Sequence, residues 1–125
     1  MEKFVIEGGV PLSGTIEAAG NKNGALPILA ACLLSDDEVV LRNVPRNSDV
    51  EAMVLLLETL GARVSWLAPS EILIDSSTVQ RTDVDRELAE RIRASFLLAG
   101  PLLARFGHAH MPPPGGDVIG RRRLD

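Results

Sequence analysis

At 125 residues the chain has room for one domain but hardly for two, and 46% apolar with 24% charged residues exclude disorder as the default. A net charge of −4 and a pI near 5.2 exclude a general nucleic-acid coat, which needs a dominant basic surface. A single cysteine, Cys32, excludes an internal disulfide framework, and an aromatic content of 3% leaves the core to Leu, Val, Ile and Ala.

No basic-then-apolar leader opens the sequence. Its longest apolar stretch, around Ala25 to Leu34, falls short of the ~20 residues that span a bilayer. The expectation is a cytoplasmic protein with no membrane partner and no nucleic-acid partner. Lys3 to Glu7 and Gly14 to Ala18 alternate weakly and predict two short strands around a Gly8-Gly9 break. Ala19 to Gly24 ("AGNKNG") is turn chemistry. Ala25 to Leu34 ("ALPILAACLL") predicts a helix that is apolar on every side and so buried all round, with Pro27 in its first turn.

Glu38 to Arg42 predicts a strand. Ser48 and Glu51 fit a capping box. Behind it Val50, Met53, Val54, Leu57 and Leu60 recur at helical spacing, and Gly61 is the expected stop. Ala62 to Trp66 and Glu71 to Asp75 alternate as a hairpin around Ala68-Pro69-Ser70. A third helical stretch runs from about Val84 to Phe106. Ile92, Phe96 and Ala99 share one face, and Gly100-Pro101 is expected to kink or interrupt it. A short strand at His108 to Met111 leads into "PPPGGDVIGRRRLD". This alternation of strands and helices predicts an α/β fold in layers.

Lys22 sits just ahead of the apolar helix, where free N–H groups and a partial positive charge accumulate. A lysine there, with Asn23 beside it, could seat a phosphate or carboxylate; an exposed turn is the plainer reading. Arg91 and Arg93 have Glu87 and Glu90 at ion-pair spacing; a surface pair is the plain reading for Arg91, while Arg93, at the head of "RAS", takes its meaning only from a family resemblance. In the terminal loop, Gly115-Gly116 allows a sharp bend, Asp117 is the lone acid, and Arg121 to Arg123 supply guanidinium groups that match phosphate geometry. Composition alone would favour a solvated tail. His108 and His110 lack thiolate or carboxylate partners at ligand spacing, so no metal site is expected, and no nucleotide-loop or Ser-His-Asp signature is present.

Five segments in order, "GNKNGALPILAACLL", "LRNVP", "LLETLGARV", "IRASFLLAGPLLARFG" and "PPGGDVIGRR", resemble the amino-terminal part of the enolpyruvyl transferases that act on UDP-N-acetylglucosamine. The resemblance covers essentially the whole chain. It implies a partial inside-out α/β barrel of the enolpyruvyl transferase type, truncated, with sheets outside and helices inward. Residues 1–21 would be strands of the other lobe, and residues 22–125 an incomplete second lobe ending in the mobile catalytic loop. The implied reaction moves the enolpyruvyl group of phosphoenolpyruvate to the 3′-hydroxyl of UDP-N-acetylglucosamine, releases phosphate and opens peptidoglycan synthesis. No cofactor is implied, and the partners are those two small molecules. The chain alone is expected to be inactive.

Residue by residue, Lys22 and Asn23 match the "KN" of the phosphoenolpyruvate site. Arg93 matches the arginine of "RAS", which contacts the nucleotide-sugar, and Arg122 the loop arginine that reaches the phosphates. Asp125 matches an aspartate of the uridine-binding stretch. Arg121 and Arg123 match no family arginine. Asp117 stands where most members carry the cysteine that protonates phosphoenolpyruvate. An unperturbed aspartate has a pKa of ~3.9, so bound anions and desolvation must raise it before it can serve as that acid. Two other readings stay open: a non-catalytic α/β module that binds nucleotide-sugar or a partner protein, and the shikimate-pathway relative, which lacks the Gly-Gly-acid-x-Ile-Gly loop.

Overall fold

A computed structural model describes residues 1–116. Helix α1 (Lys22–Ala31) continues into a 3-10 turn (Cys32–Leu34). Strand β1 (Glu38–Arg42), helix α2 (Ser48–Leu60), strand β2 (Arg63–Ala68) and strand β3 (Glu71–Asp75) follow. The short helix α3 (Arg86–Ala89), a 3-10 stretch (Arg93–Leu98) and helix α4 (Ala99–Phe106) complete the described order.

The sheet is antiparallel throughout, in the order β1-β3-β2. Glu38 and Arg63 both stand opposite Asp75, and a bulge between Trp66 and Ala68 shifts the β2 ladder before its last pair, Ala68 with Glu71. Ile72 and Ile74 of β3 are buried, flanked by half-buried Val39, Leu41, Val64 and Trp66. Period-2 alternation sets these residues on one face. They form a single core with the buried residues of α2 and α1.

Helix α2 packs against α1, β2, α3 and the Arg93–Leu98 stretch. Seven of its residues, Val50, Ala52, Met53, Val54, Leu56, Leu57 and Leu60, are buried. The most deeply buried helix is therefore α2, with Ser48, Glu51, Leu55 and Glu58 left as its exposed stripe. The expectation of all-round burial for Ala25 to Leu34 is corrected: Ala25, Leu26, Leu29, Ala30, Cys32 and Leu33 face inward, while Ile28 and Leu34 are exposed.

Four other expectations are corrected. No strand forms over Lys3–Glu7 or Gly14–Ala18, and residues 1–19 are exposed without regular pairing. Asn47, not Ser48, caps α2, its Oδ1 accepting from the N–H groups of Asp49 and Val50 at 3.1 Å each. Glu51, the other half of the expected capping box, turns instead to Arg46 at 2.7 Å. The stretch from Val84 to Phe106 is three short pieces, and its break falls at Glu90–Ile92 instead of Gly100-Pro101. Ile92 is extended (φ −136°, ψ 139°). Pro101 lies in the first turn of α4, where its missing N–H costs no helical bond. The strand expected at His108–Met111 shrinks to a parallel bridge between His110 and Asp83.

Candidate active site

Two helix starts converge. Lys22 is the first residue of α1, and Asp49 lies in the first turn of α2. The Nζ of Lys22 and Oδ2 of Asp49 are 2.6 Å apart. A lysine at the positive end of a helix is electrostatically misplaced, whereas an acid is favoured there. Asp49 thus sits well at its own helix start and offsets the misplaced charge of Lys22. With both side chains partly exposed the pair adds ~0.2–1 kcal/mol at most, which fits a role in aiming the ammonium better than one in stability.

The start of α1 has one of its first-turn N–H groups already engaged. Asn21 caps it, its Oδ1 accepting from the N–H of Asn23 at 2.7 Å. The tip also carries the Lys22 ammonium and the exposed side chain of Asn23. Gly20 enters it under tight contact, since a Cβ there would lie 1.8 Å from the carbonyl oxygen of Asn43. Asn43 itself has φ 57°, a conformation that asparagine tolerates better than most residues.

A cleft of about 300 Å3 opens beside Asp49, lined by Asp49, Glu51 and Arg91 together with Ser48, Ala52, Leu55 and Ile92. Its far wall adjoins Arg93, which is half-buried. Arg91 makes the ion pair with Glu87 that its spacing predicts, at 3.0 Å. Glu90 meets Arg86 at 3.5 Å. The segment after His110 returns to the same rim. Gly115 donates its N–H to the carbonyl of Ala89 at 3.1 Å, and a Cβ on Gly116 would stand 2.9 Å from the backbone nitrogen of Arg93. Lys22, Asp49, the cleft, Arg93 and Gly116 thus follow one another in space. Asp117, Arg122 and Asp125, with Arg121 and Arg123, lie outside the described residues.

Among the described residues no group of His, Cys, Asp and Glu could hold a metal ion. His110 pairs with Asp83 at 3.2 Å, and His108 is exposed. Asp49 is the residue that sequence reasoning missed. Its partner is 27 positions away, so no local spacing pointed to it; an acid in the first turn of a predicted helix was the only available signal.

A family model described as EPSP synthase (3-phosphoshikimate 1-carboxyvinyltransferase) matches residues 6–125. The chain belongs to the EPSP synthase family. Within it, the chain is 55% identical over 123 residues to the UDP-N-acetylglucosamine 1-carboxyvinyltransferase of Bradyrhizobium diazoefficiens, covering 98% of this chain and 28% of that one. It is 48% identical to the enzyme of the same name from Treponema denticola, over 100% of this chain and 29% of that one. The chain therefore spans less than a third of the length of these relatives. Among solved structures, the enolpyruvyl transferase NikO from Streptomyces tendae matches with a TM-score of 0.69 and 25% identity, over 82% of this chain and 24% of that one. The α/β arrangement, with a small sheet against helices, is consistent with part of an enolpyruvyl transferase domain of the EPSP synthase family.

Proposed function

We propose that this chain is the amino-terminal portion of an enzyme that transfers the enolpyruvyl group of phosphoenolpyruvate to the 3′-hydroxyl of UDP-N-acetylglucosamine, in the cytoplasm, as the first committed step of peptidoglycan synthesis. The observation that carries it is 43–55% identity, over essentially the whole chain, to relatives named for this reaction. In the transfer a bond forms from the sugar oxygen to the enol carbon, the bond from that carbon to the phosphate oxygen breaks, and the hydroxyl proton is released. Through this step the enzyme would serve cell-wall growth, cell shape and division.

Lys22, aimed by Asp49, meets the phosphate of phosphoenolpyruvate, with Asn23 at its side. Arg93 and Asp125 hold the nucleotide-sugar, and Arg122 reaches the phosphates. Asp117 donates a proton to the methylene carbon as the sugar oxygen adds, and a proton leaves that carbon again as phosphate departs, which restores the double bond. Residues 1–21 belong with the other lobe, a reading supported by the exposure of residues 1–19. The shikimate-pathway reading, suggested by the description of the family model, is weaker than one supported by these identities.

The test is phosphate release by the full-length protein. Phosphoenolpyruvate with UDP-N-acetylglucosamine should support turnover, phosphoenolpyruvate with shikimate 3-phosphate should not, and the 125-residue chain alone should give neither. The reverse preference would overturn the assignment. Fosfomycin gives a second readout, because a thiolate opens an epoxide far more readily than a carboxylate does. The protein should resist covalent inactivation, and Asp117→Cys should confer sensitivity; a stable adduct on Asp117 would contradict the assigned chemistry.

A further inference from the structure

The segment Ala109–Gly116 crosses α3 and is fastened on both sides of it. Ahead of α3, His110 donates its N–H to the carbonyl of Thr82 at 2.9 Å, and its own carbonyl accepts from Val84 at 3.0 Å. Beyond α3, Gly115 donates to the carbonyl of Ala89 at 3.1 Å. That carbonyl also accepts from the Oγ of Ser95 at 3.1 Å, and the same hydroxyl reaches the carbonyl of Ile92 at 2.9 Å. Ser95 is fully buried, and Pro112 between the two fastenings is buried as well.

The two glycines differ in what they require. A Cβ on Gly115 would fall 1.5 Å from the carbonyl oxygen of Glu90 and 2.2 Å from its carbon. This is backbone, which cannot swing aside. Gly115 is needed for contact. Gly116 has φ 97°, so it is needed for conformation as well as for its approach to Arg93.

We infer that Gly115 is a positioning residue, a fixed buckle on the turn that carries Arg93. The buckle also accounts for the break in the long helix. The carbonyl of Ala89 is engaged by Gly115 and Ser95, and the chain at Ile92 is extended. This inference goes beyond the proposed reaction and holds whichever ligand the cleft accepts.

Hydrogen exchange on the 125-residue chain labelled at glycine tests it. The Gly115 amide should exchange roughly tenfold or more slowly than those of Gly8 and Gly9, which lie in the exposed amino-terminal segment. Exchange of Gly115 as fast as theirs would overturn the inference, and this comparison needs no variant. Gly115→Ala should free the fastening and shift the amide resonances of Ala89 to Arg93. Unmoved resonances there would also overturn it, since alanine would then fit. In the full-length protein the same substitution should lower kcat about a hundredfold, because the buckle lies two residues before Asp117 and small misplacements of reacting groups are costly. That last readout rests on the proposed reaction: a wild-type enzyme without turnover would refute the reaction, while slow Gly115 exchange would still support the buckle.

Discussion

Asp75 closes β3 and collects three donors. Its carboxylate accepts from the Oγ of Ser77 at 2.6 Å, the N–H of Ser77 at 2.9 Å and the Nη2 of Arg63 at 2.6 Å. Bonds to Ser77 and then the Arg63 guanidinium hold its pKa at about 2, below the ordinary 3.8. The folded state therefore binds this proton more weakly than the unfolded chain does. The resulting stability is present above about pH 4 and is lost as pH falls towards 2. Thermal unfolding should show wild type more stable than Asp75→Asn near neutral pH, with the gap closing across that acid window. A gap independent of pH would mean the carboxylate charge is not what matters. Cys32 behaves oppositely: burial pushes its thiol up, against the lowering effect of a backbone hydrogen bond, and its Sγ donates to the carbonyl of Ile28 at 3.3 Å. Iodoacetamide should label it on the order of a hundredfold more slowly in the folded chain than in denaturant, as read by mass spectrometry. Neither environment was legible locally. Asp75 read as the end of a hairpin strand, and only the fold gave it Arg63.

The sharpest element boundary is the end of α2. Gly61 has φ 112° and donates to the carbonyl of Glu58 at 3.0 Å, and Ala62 reaches back to Leu57 at 3.0 Å. This is a Schellman arrangement, which requires a left-handed residue. A Cβ there would also stand 2.7 Å from the carbonyl oxygen of Thr78. Gly61→Ala should cost about 1–3 kcal/mol, read as a lowered urea midpoint with an unchanged slope. Such signals are local, so the sequence foretold β1, the body of α2, its stop and the hairpin to within a residue or two. It failed where the deciding contact is distant. The break at Glu90–Ile92 depends on Gly115, 23 or more positions further along, and helical periodicity runs straight through it. The weak alternation of the first 19 residues is a strand signal with no partner strand among the described residues.

Across the whole molecule, the family was legible because five segments kept their order, and no single one would have sufficed. The site was legible only as a set of positions. Lys22 and Arg93 could be named from the sequence, but the groups between them, Asp49 and the cleft, required the packing of α1 and α2. Helix α2 packs on β2 and on α1, and so joins β2 to the surface that carries Lys22 and Asp49. The sheet has its own order in time. Its middle strand, β3, is the last of the three in the chain, so β1 and β2 never pair with each other. As the nascent polypeptide leaves the ribosome, β1 must wait unpaired until Asp75 has emerged, roughly two to seven seconds at ~5–20 residues per second. The hairpin then forms first and offers β1 its edge. Ribosome-bound chains halted before Glu71 should thus hold helix but no sheet.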